Sequence, residues 1–166
     1  MWDIRRILKD LADTDRRRAI LISFWRHGDA ASKAAVTAQL ARAVHFREET
    51  LRKMPVEKKA DLLASRIGSH EFDQYLEAAL MQYLTQDHTE MLGAFLDLWN
   101  IPHVKGSIEI DDYKPPVEGQ VRDAVRQLES RYEKSDILIY LAAAGLLMGG
   151  PWREATWPVV DELTSA

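Results

Sequence analysis

The side chains of this sequence best suited to metal binding are its histidines. No two of them lie three or four residues apart, the spacing that places two ligands on one helix face. His70-Glu71 begins like the zinc motif H-E-x-x-H, but Gln74 occupies the second histidine position. No glutamate precedes a histidine by three residues, as a di-iron bundle requires. We therefore predict no metal ligands among His27, His45, His70, His88 and His103.

Acid–base chemistry would have to come from the stretch 101–116, IPHVKGSIEIDDYKPP. Three prolines and a glycine interrupt the helical pattern here, and loops longer than about 12–15 residues are often functional. An enzyme would use the polar residues His103, Glu109, Asp111 or Tyr113. The acidic cluster that includes Asp112 has the chemistry to bind a hard cation, although a solvated loop is the favoured interpretation.

Motifs for covalent catalysis or cofactor binding are absent. The sequence has no G-x-S-x-G elbow, no G-x-G-x-x-G loop and no P-loop. It also lacks cysteine, which excludes disulfides, thiol catalysis and iron–sulfur clusters. We therefore predict no catalytic residues and no cofactor, and the chain is expected not to be an enzyme.

Tryptophans near the two ends of the chain are the candidate partner-binding residues. Trp2, Trp152 and Trp157 would either pack the termini together or form an exposed patch for a partner. Packing of the termini is favoured, because exposed apolar patches are rare on monomers.

A second candidate interface is the segment 37–53, TAQLARAVHFREETLRK. The Leu40-Ala41 pair, the apolar Val44 and Phe46, and Thr50-Leu51 follow the pattern of two short helices joined by a turn. The segment resembles a helix-turn-helix of the kind found in bacterial repressors. That resemblance implies nucleic-acid contacts by Arg47, Thr50, Arg52 and Lys53.

Two observations bear on this resemblance in opposite directions. His45 stands where the turn normally has glycine, because the backbone there needs a positive φ, and the helix propensity of 41–52 favours one continuous helix instead. However, residues 1–53 hold 12 Lys/Arg and 7 Asp/Glu, whereas 54–166 hold 10 and 19. This basic N-terminal part keeps nucleic acid as an alternative partner, less favoured than protein.

The remaining sequence predicts how these candidates are positioned. The N-terminus is amphipathic without a long apolar region, so we expect no signal peptide and a cytoplasmic location. The longest apolar run, 137–148, is shorter than the roughly 20 residues that span a bilayer, so we predict a buried helix and no membrane association.

Apolar residues recur with helical period along the whole chain. We predict an all-α fold, a compact single domain over 1–166 with about eight helices packed as antiparallel hairpins. Its buried centre should be formed by the segments 18–26, 72–84, 89–100 and 137–148.

A similarity between two parts of the sequence suggests an internal repeat at an offset of 49 residues. Tyr83, Asp87, Leu92 and Leu98 recur as Tyr132, Asp136, Leu141 and Leu147. The offset predicts two related helical hairpins, 69–101 and 118–150, joined by the loop 101–116.

Three functional hypotheses follow. The first is a non-enzymatic helical interaction module that binds a protein or peptide. The second is a nucleic-acid-binding regulator that uses residues 37–53. The third is an enzyme with acid–base chemistry around the loop 101–116. The first is favoured, because the sequence shows helical scaffolding without a recognisable set of reactive groups.

Overall fold

Helices form along the whole chain, and the all-α prediction is confirmed by the computed structural model, which describes residues 1–166. About eight helices were expected, and ten α-helices are present. The isolated antiparallel bridge between Val104 and Ser107 is the only β pairing. No helix combines the length and the apolar character needed to span a bilayer. The helices are α1 (Ile4–Arg6), α2 (Thr14–His27), α3 (Ala30–Val44), α4 (Glu48–Lys53), α5 (Val56–Ala64), α6 (Asp73–Gln82), α7 (Thr89–Leu98), α8 (Glu118–Leu128), α9 (Lys134–Met148) and α10 (Gly150–Ser165).

The chain divides into two compact units. Unit 1 combines Met1–Leu11 with Asp87–Ala166, and unit 2 is Ala12–Gln86. A π-helical turn lies at each boundary, Ile7–Leu11 at the first and Tyr83–Asp87 across the second. Unit 2 is therefore an insertion after the first helical turns of unit 1, and residues 69–101 are divided between the units.

The buried centre of unit 1 is helix α9. Residues 136–145 are all buried, as the apolar run predicts, and α10 packs against both α9 and α8. Gly145 permits close packing, because a Cβ atom there would overlap the indole nitrogen of Trp157. That nitrogen donates a hydrogen bond to the carbonyl of Ala142 at 3.2 Å, which fixes α10 on α9.

An aromatic cluster anchors the non-helical stretch between α7 and α8 within unit 1. The Trp99 ring lies 5.8 Å from that of Trp152, and Phe95 contacts Trp99 and Tyr140. Tyr113 belongs to the stretch, and its hydroxyl accepts a hydrogen bond from Trp152 Nε1 at 3.1 Å. The stretch is thus tied to the helices at Tyr113. Burial raises the pKa of Tyr140.

Unit 2 is built around helix α2, which packs against α5 and α6. Ile20, Leu21 and Phe24 of α2 are fully buried. Arg18 binds the carboxylate of Asp61 on α5 with two hydrogen bonds of 2.9 and 3.0 Å. The second half of α2, which is apolar on every side in the sequence, therefore lies in the core of this unit, as predicted.

Candidate functional site

A groove of about 500 Å³ runs along helix α7 on the surface of unit 1. Ala94 and Leu98, one helical turn apart, lie along α7, with the buried Gly93 beside them. One side is formed by the turn 103–106, and the other by the C-terminal end of α8 and Arg131 after it. We call this feature the α7 groove, and its ionisable residues are Glu90, Asp97, His103, Lys105 and Arg131.

His103 holds the turn against α7 through both of its ring nitrogens. Nδ1 lies 3.0 Å from the backbone nitrogen of Gly106, and Nε2 lies 2.9 Å from Oδ1 of Asp97. Because Nδ1 accepts the Gly106 N–H, it carries no proton, so the hydrogen-bond network assigns the proton to Nε2. The imidazole is therefore neutral in this arrangement, and both nitrogens are engaged.

Two glycines allow the turn to lie this close to the helix. Gly106 has φ of 80°, and a Cβ there would stand 2.9 Å from Cβ of Leu92 and 3.0 Å from the carbonyl oxygen of Thr89. A Cβ on Gly93 would stand 3.1 Å from Cε1 of His103. Glycine is thus needed at 106 for both space and backbone conformation. The sequence alone does not indicate that Gly93 and Gly106 lie next to His103.

The charged groups of the groove differ in how far they are neutralised. Arg131 lies 3.5 Å from Glu90 in a solvent-exposed pair, a type of interaction that contributes little to stability. Lys105 forms no ion pair, and the partner of the largely exposed Asp97 is the neutral imidazole. Lys105 and Asp97 therefore have no oppositely charged partner within the groove.

The residues proposed for acid–base chemistry are not brought together. Of the four, His103 alone lines the groove, and Tyr113 is bonded to Trp152. Glu109, Asp111 and the neighbouring Asp112 are exposed. No group of three or more histidine and acidic side chains has the arrangement needed to hold a metal ion.

The candidate tryptophans contribute to packing within unit 1. Trp2 is 1% exposed and Trp152 is 3% exposed, so neither indole offers a surface to a partner. Trp157 is half-buried, and the guanidinium of Arg153 lies over its ring at 4.6 Å. The tryptophans near the ends of the chain are thus internal or partly covered.

The segment 37–53 is bent, and the prediction of one continuous helix is wrong. Helix α3 ends at Val44, His45 has φ of 58° and ψ of 37°, and α4 begins at Glu48. The Arg66 guanidinium donates a hydrogen bond to the carbonyl of Ala43 at 2.6 Å, so this carbonyl in the last turn of α3 has a partner. Leu51 on α4 is fully buried, which the bend permits. Tertiary packing thus overrides local helix propensity here.

The proposed nucleic-acid contacts are accessible but lie among acidic residues. Arg47, Thr50, Arg52 and Lys53 are all exposed. Lys53 pairs with Glu49 at 2.9 Å, and the first turn of α4 contains two acidic residues. Helix α4 has only 6 residues, so it offers a short recognition surface.

Comparison with known proteins gives no match, whether to a protein-family model, to a curated protein or to a solved structure. Function is therefore inferred from the residues of the α7 groove and of the segment 37–53.

Proposed function

We propose that this protein is a non-enzymatic binding module whose α7 groove receives a short peptide segment of a partner protein. The observation that carries the proposal is the charge state of the groove. Lys105 has no ion pair, and Asp97 has only the neutral His103 as a partner. These two groups are free to bind one acidic and one basic group of a ligand.

The bonding of His103 favours recognition over catalysis. A general base needs a ring nitrogen that can accept a proton from the substrate. In the groove, Nδ1 is occupied by the Gly106 N–H and Nε2 donates to Asp97. His103 would have to give up the bond that holds the turn in order to act as a base.

The dimensions and charge of unit 1 favour a peptide as the ligand. A volume of about 500 Å³ lies within the range of roughly 300–1,000 Å³ typical of ligand sites. The short Ala94 side chain leaves room beside Leu98, which is 37% exposed, so an apolar side chain can sit there. Unit 1 holds 10 Lys/Arg and 16 Asp/Glu, a balance that disfavours nucleic acid. The expected ligand has an apolar residue flanked by an acidic and a basic one.

The test is a selection from a random peptide library displayed on phage, followed by affinity measurements on the enriched peptides. Leu98→Glu places a charge in the groove, and Leu147→Glu is its matched control, since Leu147 is 38% exposed, lies on α9 and does not line the groove. We expect L98E to weaken binding by about tenfold or more, the effect of roughly 1.4 kcal/mol, and L147E to leave it unchanged. Equal affinities for the two variants, or no enrichment over a selection on L98E, would overturn the proposal.

A second candidate function is nucleic-acid binding by residues 37–53, and the left-handed backbone at His45 favours it. This conformation provides the turn that the helix-turn-helix resemblance requires between two helices. The exposed Arg47 and Arg52 would supply contacts to phosphates or bases. The acidic residues in the first turn of α4 oppose binding. Contacts of Arg47 and Arg52 with phosphates would release counterions from the nucleic acid, so the affinity should fall as salt concentration rises.

Binding of a random-sequence DNA duplex at several salt concentrations tests this candidate. Arg47→Ala and Arg52→Ala should weaken binding and reduce its salt dependence, whereas Arg26→Ala, an exposed position in the last turn of α2, should not. Absence of salt-sensitive binding, or equal effects of all three substitutions, would exclude the segment as the interface.

A further inference from the structure

The second feature with unneutralised charge lies in unit 2, around Trp25. Lys33 of α3 donates a hydrogen bond from Nζ to the carbonyl of Trp25, in the last turn of α2, at 3.4 Å. Lys59 of α5 places its ammonium 5.9 Å from the centre of the Trp25 ring and donates to the carbonyl of Arg52 at 3.3 Å. We call this set, Trp25, Lys33 and Lys59, the Trp25 corner.

Neither lysine of the corner has an acidic partner. Other basic residues of unit 2 do pair with carboxylates, Arg16 with Asp13 and Arg18 with Asp61. The pKa of Lys59 is lowered, first by burial and then by the charge of Lys33, with no carboxylate acting in the opposite sense. The positive charges of Lys33 and Lys59 therefore repel one another at this place.

The hydrogen-bonding groups of the corner are mainly donors. Each lysine ammonium has three donor protons, of which the contacts with the helix-end carbonyls use one. Trp25 is 7% exposed, and its indole Nε1 is buried without a hydrogen-bond acceptor. Both lysine side chains are partly exposed, so a solvent-borne anion can reach their ammonium groups.

We propose that the Trp25 corner binds a phosphate-class oxyanion through the ammonium groups of Lys33 and Lys59. A doubly charged oxyanion would relieve the repulsion between the lysines and accept the donor protons that they leave unused. Charge-assisted hydrogen bonds of this kind are roughly twice as strong as neutral ones. The site is separate from the α7 groove and does not depend on the function proposed for it.

The test is an NMR titration of the full chain with sodium phosphate, compared with sodium chloride at equal ionic strength. The indole N–H signal of Trp25, assigned from the spectrum of Trp25→Phe, reports on the corner. We expect a saturable shift of this signal with phosphate and none with chloride. Shifts that are linear and equal in the two salts would overturn the proposal without the need for any further variant.

Substitutions locate the binding. Lys33→Met and Lys59→Met should each raise the dissociation constant by about tenfold or more, as expected for loss of a hydrogen bond to a charged group. Lys58→Met, at an exposed neighbouring position, should leave it unchanged. The same affinity in all three variants would overturn the assignment.

A parallel titration with a phosphate monoester distinguishes free phosphate from the phosphate group of a larger molecule. Tighter saturable binding of the monoester would support the second source, and tighter binding of inorganic phosphate the first. Melting temperatures of each variant, measured without phosphate, show whether the fold is kept.

Discussion

The indole N–H of Trp2 donates a hydrogen bond to Oδ1 of Asp161 at 3.0 Å, linking residues 159 positions apart. The Arg6 guanidinium lies over the same indole ring at 4.0 Å. Ile4 and Ile7 are also buried, and the π-helical turn that contains Ile7 packs against α9. The first residues of the chain are therefore an integral part of unit 1, although they precede the whole of unit 2 in sequence.

Truncation of the Trp2 side chain should destabilise the protein strongly. Trp2 is 1% exposed, so Trp2→Ala leaves a large cavity and should lower the free energy of unfolding by about 3–5 kcal/mol. Urea denaturation provides the measurement. Trp157→Ala is the control, because Trp157 is only half-buried and its truncation should lower the free energy of unfolding by less. Equal losses in the two variants would contradict the structural role assigned to Trp2.

Glycine at position 45 should stabilise the protein. A non-glycine residue in the left-handed region is strained by roughly 1–2 kcal/mol, and glycine relieves this strain while losing about 0.5–1 kcal/mol in backbone entropy. We therefore expect His45→Gly to raise the free energy of unfolding by up to about 1 kcal/mol.

A matched substitution within α3 shows whether the helix ends where the structure places it. Ala43→Gly lies inside α3 and should destabilise by about 1 kcal/mol. If chemical denaturation shows that His45→Gly destabilises the protein to the same extent, position 45 is helical and the segment 37–53 is one continuous helix.

The helices could be predicted from the spacing of apolar residues, because each helix buries one face and its apolar residues therefore recur with helical period. The run 137–148 is the clearest case, since its buried part, 137–145, is apolar on every side, whereas Leu147 and Met148 at its end are exposed. The end of α3 could not be read in this way. Residues 41–52 have good helix propensity, and burial of Leu51, a tertiary contact, accompanies the bend at His45.

The α7 groove was only partly accessible to sequence reasoning. The prolines and the glycine of the stretch 101–116 predict an unusual loop, and His103 is one of its polar residues. The relationship among Asp97, His103 and Gly106 depends on how the turn lies against Gly93, and no spacing rule encodes that approach. The division into two units was also hidden, because unit 1 joins two segments that are distant in sequence.

Alanine at Gly106 should destabilise unit 1, whereas alanine at Gly119 should not. Gly106 has a positive φ and no room for a Cβ, so Gly106→Ala should lower the free energy of unfolding by about 1–3 kcal/mol. Gly119 lies in α8, where an added methyl group would meet no atom within 4 Å, and Gly119→Ala should stabilise by about 0.4–1 kcal/mol. Thermal or urea unfolding compares them. Effects of the same sign would argue against the close approach of the turn to α7.

The Asp29 carboxylate should make the stability of unit 2 dependent on acid pH. Its oxygens accept hydrogen bonds from the backbone N–H of Ser32 at 2.7 Å and from the Ser32 hydroxyl at 2.8 Å. The backbone bond is the larger cause, and together the two hold the pKa of Asp29 below its usual value of about 3.9. Because the folded pKa is the lower one, the contribution is complete above the unfolded pKa and is lost as pH falls through the folded pKa.

Asp29→Asn separates this titration from capping in general, since asparagine caps a helix about as well but does not ionise. We expect the wild type to exceed D29N in stability at neutral pH, and the difference to shrink on acidification to about pH 3, which lies below the unfolded pKa of about 3.9. Urea midpoints at the two pH values measure it, provided that the slopes agree. A difference that does not change with pH would show that the cap does not perturb this carboxylate, and the short contacts with Ser32 would then have no energetic counterpart.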